Sequence, residues 1–270
     1  MRQTQAKQCR RQRALGPRWL SAALAASLSA TSLSSLAATD FIKGLHPYAS
    51  VGLTHESNLF RLPDPLPDNV TLNEGKADQY ATIAAGIDTA FSLSQQQVTV
   101  TGEAKRYAFN NYDELDYTRG KVLANWQWET GDALTGNAGY RYRKELRSFV
   151  NRNVLSAETA RDLRTENAVY GDANLQILQN WFIRVSGDKA DIEFSSSPAL
   201  ALERTTIGAA INFVSNAGNI LGFDASLLEG DYEVNTRNNF EEINIGPVFE
   251  WQLGADTKLR GKVGYTEREN

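Results

Sequence analysis

The sequence predicts an all-β protein, an antiparallel transmembrane β-barrel of the outer-membrane type with about eleven strands present. From residue 46 onward, apolar residues recur at every second position, which is the period of a β-strand. Short turns alternate with longer polar connections, as they do in barrels that cross the bacterial outer membrane. The chain begins with a basic leader and an apolar run, an arrangement typical of exported proteins.

Residues 1–37 have the features of a cleaved secretory signal peptide. Basic residues and no acidic residue precede an apolar stretch at 20–36, and small residues follow it at the expected cleavage site. A membrane-anchor helix is the alternative, but the many Ser and Thr residues make this stretch a poor bilayer span. Cys9 lies upstream of the apolar stretch, so it is not a lipid-attachment site. Residues 38–270 are then expected to form the barrel.

Loss of this leader would leave an acidic chain without cysteine. Six of the 28 Lys and Arg residues lie in the leader, which leaves 22 against 32 Asp and Glu residues, a net charge of −10. An exported chain of this charge is a poor candidate for nucleic-acid binding, and without cysteine it has no cysteine zinc site. We therefore expect an outer-membrane location in a Gram-negative cell, no nucleic-acid partner and no cofactor.

Each predicted strand has one apolar face and is about ten residues long. In the segment 82–93, Ile83 and Ile87 share the apolar face and Asp88 lies on the other. One helix is predicted within a connection, at 155–165. The strands are predicted at 47–55, 82–93, 98–108, 118–128, 134–143, 168–178, 181–190, 205–213, 220–228, 243–251 and 258–265.

The connections between these strands alternate in length. The short turns are predicted at 94–97, 129–133, 178–180, 215–219 and 253–257. The longer, polar or charged connections are predicted at 57–79, 110–116, 144–167, 191–204 and 229–240. Outer-membrane barrels have short periplasmic turns and longer extracellular loops, so this alternation favours a membrane barrel over a soluble barrel or sandwich.

Tryptophan is concentrated beside the short turns. All four tryptophans that follow the leader lie there, on the apolar faces of their strands: Trp126, Trp128, Trp181 and Trp251. Tryptophan at one end of an apolar band is typical of an aromatic belt at a membrane interface. We expect these four residues to form such a belt.

The carboxyl end of the sequence does not match a complete barrel. Eleven is an odd number of strands, whereas bacterial single-chain barrels have an even number and close on themselves. The chain ends on the residues TEREN, with no terminal strand that finishes in Phe or Trp. We expect that the carboxyl-terminal strands are missing from this sequence.

The faces opposite the apolar ones carry charges at mid-strand, which suits a water-filled lumen. The strands between 98 and 143 contribute Glu103 and a series of basic residues: Lys105, Arg119, Lys121, Arg141 and Arg143. Later strands contribute Arg184 and a series of acidic residues: Asp172, Asp188, Asp224, Glu242 and Glu250. We therefore expect a basic wall and an acidic wall in the lumen. The basic wall would either guide an anionic polymer or pair with acids and brace the barrel.

The sequence offers few residues for catalysis or metal binding. His46 and His55 are nine residues apart on one strand, so strand parity places them on opposite faces and a shared metal is not expected. The adjacent acids Glu241 and Glu242 could serve a glycosidase in principle, but no second carboxylate is marked by its spacing. We expect neither a catalytic nor a metal site.

The segment that follows the first strand resembles a known family. Its residues, Thr54 to Pro63, read THESNLFRLP, and a second familiar segment is Leu115 to Tyr117. Together they resemble the outer-membrane proteins of exopolysaccharide biosynthesis that are associated with exosortase B and PEP-CTERM systems, the EpsL-type family. Glu56 stands where that family usually has Asp. The resemblance implies a role in polysaccharide transport or assembly and brings no catalytic motif.

These observations lead to one expected function and two alternatives. The expected function is non-enzymatic participation in the export or assembly of an extracellular polysaccharide. The expected partners are the lipid bilayer of the outer membrane, a polysaccharide and other export components. If the basic wall guides the polymer, the polysaccharide is anionic. One alternative is a structural or adhesive barrel whose surface loops bind partners. The other is an enzyme that modifies polysaccharide or lipid at the cell surface.

Overall fold

The computed structural model describes residues 44–64, 72, 74–149, 161–254 and 257–270, and the predicted signal peptide lies outside these residues. The described residues form twelve β-strands in a single sheet. The strands are β1 (Leu45–Glu56), β2 (Asp78–Leu93), β3 (Gln96–Phe109), β4 (Tyr117–Thr130), β5 (Leu134–Leu146), β6 (Leu163–Leu178), β7 (Trp181–Phe194), β8 (Leu202–Val214), β9 (Ile220–Tyr232), β10 (Phe240–Gln252), β11 (Lys258–Lys262) and β12 (Tyr265–Glu269).

The sheet is an up-and-down antiparallel meander. Each strand from β1 to β11 pairs with the next one along the chain, and β12 also pairs with β10. Within the described part of the chain, β1 pairs only with β2, and β11 and β12 pair only with β10. No helix of the described residues is long and apolar enough to cross a membrane.

The last predicted strand, 258–265, is divided into β11 and β12. Both segments pair with β10 in one continuous register, in which Val248 lies opposite Lys262 and Ile245 opposite Tyr265. The interruption lies opposite Pro247, which accepts a hydrogen bond from the Val263 amide at 3.2 Å but has no N–H to return one. One predicted strand is therefore two short ones.

The alternation of short turns and longer loops is confirmed. The short turns are 94–95, 131–133, 179–180, 215–219 and 253–257, and the longer loops at the opposite end of the sheet are 57–77, 110–116, 147–162, 195–201 and 233–239. Two of the short turns contain glycine with positive φ, Gly131 at 62° and Gly218 at 79°, which a residue with a side chain rarely adopts. We call the two ends of the sheet the turn end and the loop end.

The strands are longer than the ten residues that the sequence indicated. From β2 to β10 they contain 13 to 16 residues. Most of the extra residues lie at the loop end. The described part of the predicted helix at 155–165 is not helical, because 161–162 has no regular structure and β6 begins at Leu163. The prediction of a helix was wrong for the described residues, because those from Leu163 onward belong to β6.

One face of the sheet is concave. Strands separated by one neighbour are about 10 Å apart, so direct contacts between their side chains are favoured where the sheet curves inward. Four such contacts are present, and all join residues of the same face: Tyr48 to Glu103 at 3.2 Å, Tyr170 to Asn125 at 3.1 Å, Arg141 to Asp188 at 3.5 Å and Lys262 to Asp224 at 2.9 Å. We call this face the inner face and the opposite one the outer face.

The outer face carries exposed apolar side chains over most of the sheet. Exposed residues of this face include Val51, Leu53, Ile83, Val122, Val169, Leu175, Val185, Ile207, Leu221, Phe223 and Ile243. Exposed aliphatic groups in such number are unfavourable in water and favourable in the hydrocarbon of a bilayer. With a polar inner face, this surface confirms the predicted fold class, a β-barrel of the outer-membrane type, and its location in the outer membrane.

The polarity pattern reverses at the loop end. On β7, Ala190 and Ile192 are buried on the inner face, whereas Lys189, Asp191 and Glu193 lie on the outer face. Charged side chains are stable there only where water replaces lipid. The loop-end part of the sheet therefore projects beyond the apolar band, with its apolar residues turned inward.

Candidate functional site

The five predicted basic residues all lie on the inner face, across β3, β4 and β5. The register places Lys105 opposite Arg119 and Lys121 opposite both Glu103 and Arg143. Arg141 lies two residues before Arg143, on the same face of β5. We call Lys105, Arg119, Lys121, Arg141 and Arg143 the basic patch.

Three members of the basic patch have no acidic partner. No carboxylate oxygen of the described residues lies within 4.0 Å of a side-chain nitrogen of Lys105, Arg119 or Lys121. The Nε atom of Arg119 is buried and has no hydrogen-bond partner in this part of the chain. Glu103, the acid nearest in register, instead accepts a hydrogen bond from the Tyr48 hydroxyl at 3.2 Å. These three cations keep their charge available to a ligand.

The other two members are held by acids. Arg141 lies 3.1 Å from Glu166 and 3.5 Å from Asp188, and its guanidinium lies 5.8 Å from the centre of the Tyr170 ring. Arg143 lies 4.0 Å from Glu145. Arg141 therefore braces three strands, β5, β6 and β7, and its positive charge is largely balanced.

The expected acidic wall is not a continuous charged surface. Each of its carboxylates has a basic partner within 4.0 Å: Asp172 with Arg184, Asp188 with Arg141 and Arg204, Asp224 with Lys262, Glu242 with Arg268, and Glu250 with Lys258 and Arg260. The five acids share the inner face, as expected, but the expectation of an unbalanced acidic wall was wrong, because each carboxylate pairs with a Lys or Arg side chain of a nearby strand. The unbalanced charge of the inner face lies on β3 and β4.

Aromatic residues cover the loop-end side of the basic patch. The rings of Tyr107 and Tyr117 stack with their centres 4.6 Å apart and an angle of 7° between their planes. The Lys105 ammonium lies 5.2 Å from the centre of the Tyr107 ring, a distance typical of a cation–π contact. The sequence alone did not indicate this cluster, because the relevant tyrosines come from different strands.

The segment that carries the family resemblance forms part of this cover. Leu59, Phe60 and Leu62 are buried against Phe109, Tyr112, Leu115 and Tyr117, in the largest apolar cluster of the described residues. Asn58 closes the turn, because its Nδ2 donates to the Leu62 carbonyl at 2.7 Å and its Oδ1 accepts from the Leu62 amide at 2.9 Å. The conformation includes Arg61 at a φ of 57°. The motif therefore anchors the first loop over the inner face.

The four tryptophans lie on the outer face near the turn end. Trp126 and Trp251 are about half exposed, and Trp181 is 39% exposed. The centres of the Trp126 and Trp128 rings are 6.4 Å apart, and Trp181 packs against Phe213 at 5.4 Å. These positions agree with the expected belt. Among the described residues, no tryptophan lies at the loop end of the sheet.

The histidines and the paired acids do not form a shared site. His46 lies opposite Asp88 on the inner face, whereas His55 points to the outer face. Glu241 and Glu242 also point to opposite faces, because they are consecutive in β10. Among the residues that the structure describes, no group of three or more His, Cys, Asp or Glu side chains could hold a metal ion.

Comparisons of the sequence with protein-family models and with curated proteins give no match. Two solved structures are similar to the chain. One is OmpT, an outer-membrane protein of Vibrio cholerae in its trimer form, with a TM-score of 0.46, 11% identity and coverage of 83% of this chain and 82% of that one. The other is the beta domain of the Bordetella autotransporter BrkA, with a TM-score of 0.36, 11% identity and coverage of 84% and 93%.

Proposed function

We propose that this outer-membrane barrel takes part, without catalysis, in the export or assembly of an extracellular polysaccharide, and that its basic patch guides an anionic polymer. The observation that carries the proposal is the set of three inner-face cations, Lys105, Arg119 and Lys121, that have no carboxylate partner among the described residues. The resemblance of residues 54–63 to the EpsL-type family supports a polysaccharide as the polymer.

The spacing of these cations suits a chain of repeated charges. Lys105 and Arg119 are neighbours on adjacent strands, about 5 Å apart between backbones, and Lys121 follows Arg119 by about 7 Å along β4. The Debye length at physiological ionic strength is about 8 Å, so a polymer on this surface interacts with all three charges together. Each contact is weak because these side chains are only partly buried and face water, and the polymer can move from one to the next.

The outer face supplies the other proposed partner, the lipid bilayer. We place the belt of Trp126, Trp128, Trp181 and Trp251 at the periplasmic interface, because short turns of outer-membrane barrels face the periplasm. The loop end then projects from the cell surface. In this orientation the aromatic cover formed by the first loop lies at the outer opening, and the basic patch lies beneath it.

The adhesive and enzymatic alternatives have less support. Three of the five loop-end connections, 110–116, 195–201 and 233–239, have seven residues each and contain a single turn of 3-10 helix, so these three offer little surface to a partner. The paired acids that a glycosidase would require lie on opposite faces of β10. The unpaired cations of the basic patch therefore favour the guiding role over these two alternatives.

The proposal is tested by a triple variant, Lys105→Gln, Arg119→Gln and Lys121→Gln, which keeps the patch hydrophilic and removes three charges. If each exposed contact contributes about 0.5 kcal/mol, the affinity for an oligouronate falls about tenfold. Surface polysaccharide in a strain with this variant falls, while the protein level and heat-modifiable migration remain normal. Affinity is measured with the purified protein in vesicles by titration calorimetry.

The control variant, Arg184→Gln, Arg204→Gln and Lys262→Gln, removes the same charge from inner-face cations that already have acidic partners. We expect this control variant to change the affinity for the oligouronate by less than about twofold. Equal losses in both variants would show that only net charge matters, and unchanged export in the folded test variant would overturn the guiding role.

A further inference from the structure

A second polar surface lies on the inner face at the turn end, below the basic patch. It lines an open hollow of about 420 Å³, and its lining includes Gln97, Gln127, Thr135, Asn137, Asp172 and Asn174. Five of these six side chains are uncharged amides or a hydroxyl. Neither the expected function nor the basic patch explains this concentration of amides.

The sheet register arranges four of these residues in a row. Gln97 of β3 lies opposite Gln127 of β4, Gln127 opposite Asn137 of β5, and Asn137 opposite Asp172 of β6. Adjacent strands are about 4.8 Å apart, so the row extends for about 14 Å across the inner face. A row of this length offers several hydrogen-bonding groups to one extended ligand.

Two carboxylates line the hollow, Asp172 and Glu129, and Asp172 is already balanced. Asp172 accepts hydrogen bonds from the Asn137 and Asn174 amides, the latter at 3.1 Å, and lies 3.4 Å from Arg184. By contrast, the Gln97 and Gln127 side chains have no hydrogen-bond partner among the described residues. The hollow therefore has free amide donors and acceptors beside one carboxylate, Glu129, that has no basic partner within 4.0 Å among the described residues.

We propose that this row of amides is a binding site for neutral, hydroxyl-rich sugar residues, with Gln97 and Gln127 as its principal contacts. An amide offers a donor and an acceptor side by side, which matches the adjacent hydroxyl groups of a sugar. The Glu129 carboxylate would repel an anion and can accept a hydrogen bond from a sugar hydroxyl, whereas an apolar ligand would leave the amides unsatisfied. This inference deepens the proposed function and rests on it, because it adds a neutral subsite to the charged one.

The test is the binding of a neutral glucose oligosaccharide of about six residues to the protein in vesicles, measured by titration calorimetry. The variant Gln97→Ala with Gln127→Ala is compared with the unchanged protein. Loss of each neutral hydrogen-bonding side chain weakens binding about fivefold. The matched control is Gln79→Ala, which removes the same side chain from the outer face of β2. Binding by the control is expected to equal that of the unchanged protein.

A second ligand separates this site from the basic patch. The double amide variant keeps the affinity of the unchanged protein for an oligouronate to within a few-fold, and the triple basic-patch variant keeps the affinity for the neutral oligosaccharide. Neutral-oligosaccharide binding that is absent, or that survives loss of both glutamines, overturns the amide site. Oligouronate binding that survives loss of the three cations overturns the proposed function instead, so the two failures are distinguishable.

Discussion

At the scale of single residues, Asp162 joins two loops at the loop end. Its carboxylate is 4% exposed and accepts hydrogen bonds from the Ser196 amide at 2.9 Å, the Ser197 hydroxyl at 2.8 Å and Arg147 at 3.2 Å. Burial alone would raise the pKa of this carboxyl, but these three hydrogen bonds outweigh it and hold the pKa below its ordinary value. The charged form therefore stabilises the contact of Arg147 and Asp162 with the loop 195–201.

We expect Asp162→Asn to lower the free energy of unfolding by about 2–3 kcal/mol, because hydrogen bonds to a charged group are lost from a buried position. Because the folded pKa is depressed, the contribution is complete above the ordinary pKa and is lost as the pH falls through the lower folded value. The difference in unfolding free energy between the two proteins should be constant from about pH 5 to pH 8 and should shrink below about pH 4. The unfolding free energies are measured by urea unfolding of each protein in vesicles.

Asp64→Asn provides the control, because Asp64 has an exposed carboxylate that is 95% accessible and pairs with Lys76 at the surface. An exposed pair contributes little, so this change is expected to alter stability by less than about 1 kcal/mol. An equal effect of both substitutions would contradict the role assigned to Asp162.

At the scale of the strands, the outer face is expected to be intolerant of charge. Arg in place of Ile87, Ala124 or Leu175 would cost about 2–4 kcal/mol near the middle of the bilayer, because these residues point outward from β2, β4 and β6. The measurement is the fraction of protein with heat-modifiable migration in outer membranes, which should fall for each variant.

Substitutions at the neighbouring inner positions are the controls for this prediction. Asp88→Asn, Asn125→Ser and Asn174→Ser change residues that alternate with the outward ones along the same strands. They are expected to leave assembly near normal, because the inner face is polar. Similar assembly defects in both sets would contradict the assignment of the two faces.

The sequence was sufficient to predict the strands inside the apolar band, since lipid on one side and polar groups on the other produce an alternating pattern. It did not predict their loop-end extensions. There the outer residues are charged and the inner ones are apolar, as with Lys189 and Ala190 on β7. Because the pattern reverses within one strand, a search for a single alternating face ends the strand too early.

The basic patch was predictable for the same reason, since alternation places Lys105, Arg119 and Lys121 on one face. Their lack of partners was not predictable, because pairing depends on which residues lie opposite and on how the sheet curves. Arg141 shows the limit: it pairs with Asp188, which lies two strands away on β7. The curvature of the sheet brings those two side chains together. Most other acids of the expected wall are balanced by a base on the adjacent strand, as Asp172 is by Arg184.

At the scale of the whole molecule, the sheet has two zones with opposite polarity. Near the turn end the outer face is apolar and carries the tryptophans, and the inner face is polar. Near the loop end the inner face holds two apolar clusters, one around Leu115 and one around Ala190. The first zone matches a bilayer and the second matches water, so together they orient the protein in the membrane.

The central claim, that the sheet has a lipid-facing outer face and a water-facing inner face, is tested most directly by cysteine labelling along β8. Cys9 is the one cysteine in the sequence. Single cysteines replace the inner residues Thr206, Ala210 and Asn212, or the outer residues Ile207, Ala209 and Ile211. The protein in outer membranes is then treated with a charged, water-soluble thiol reagent. The account predicts reaction at the three inner positions and protection at the three outer ones; equal reaction at consecutive positions would contradict it.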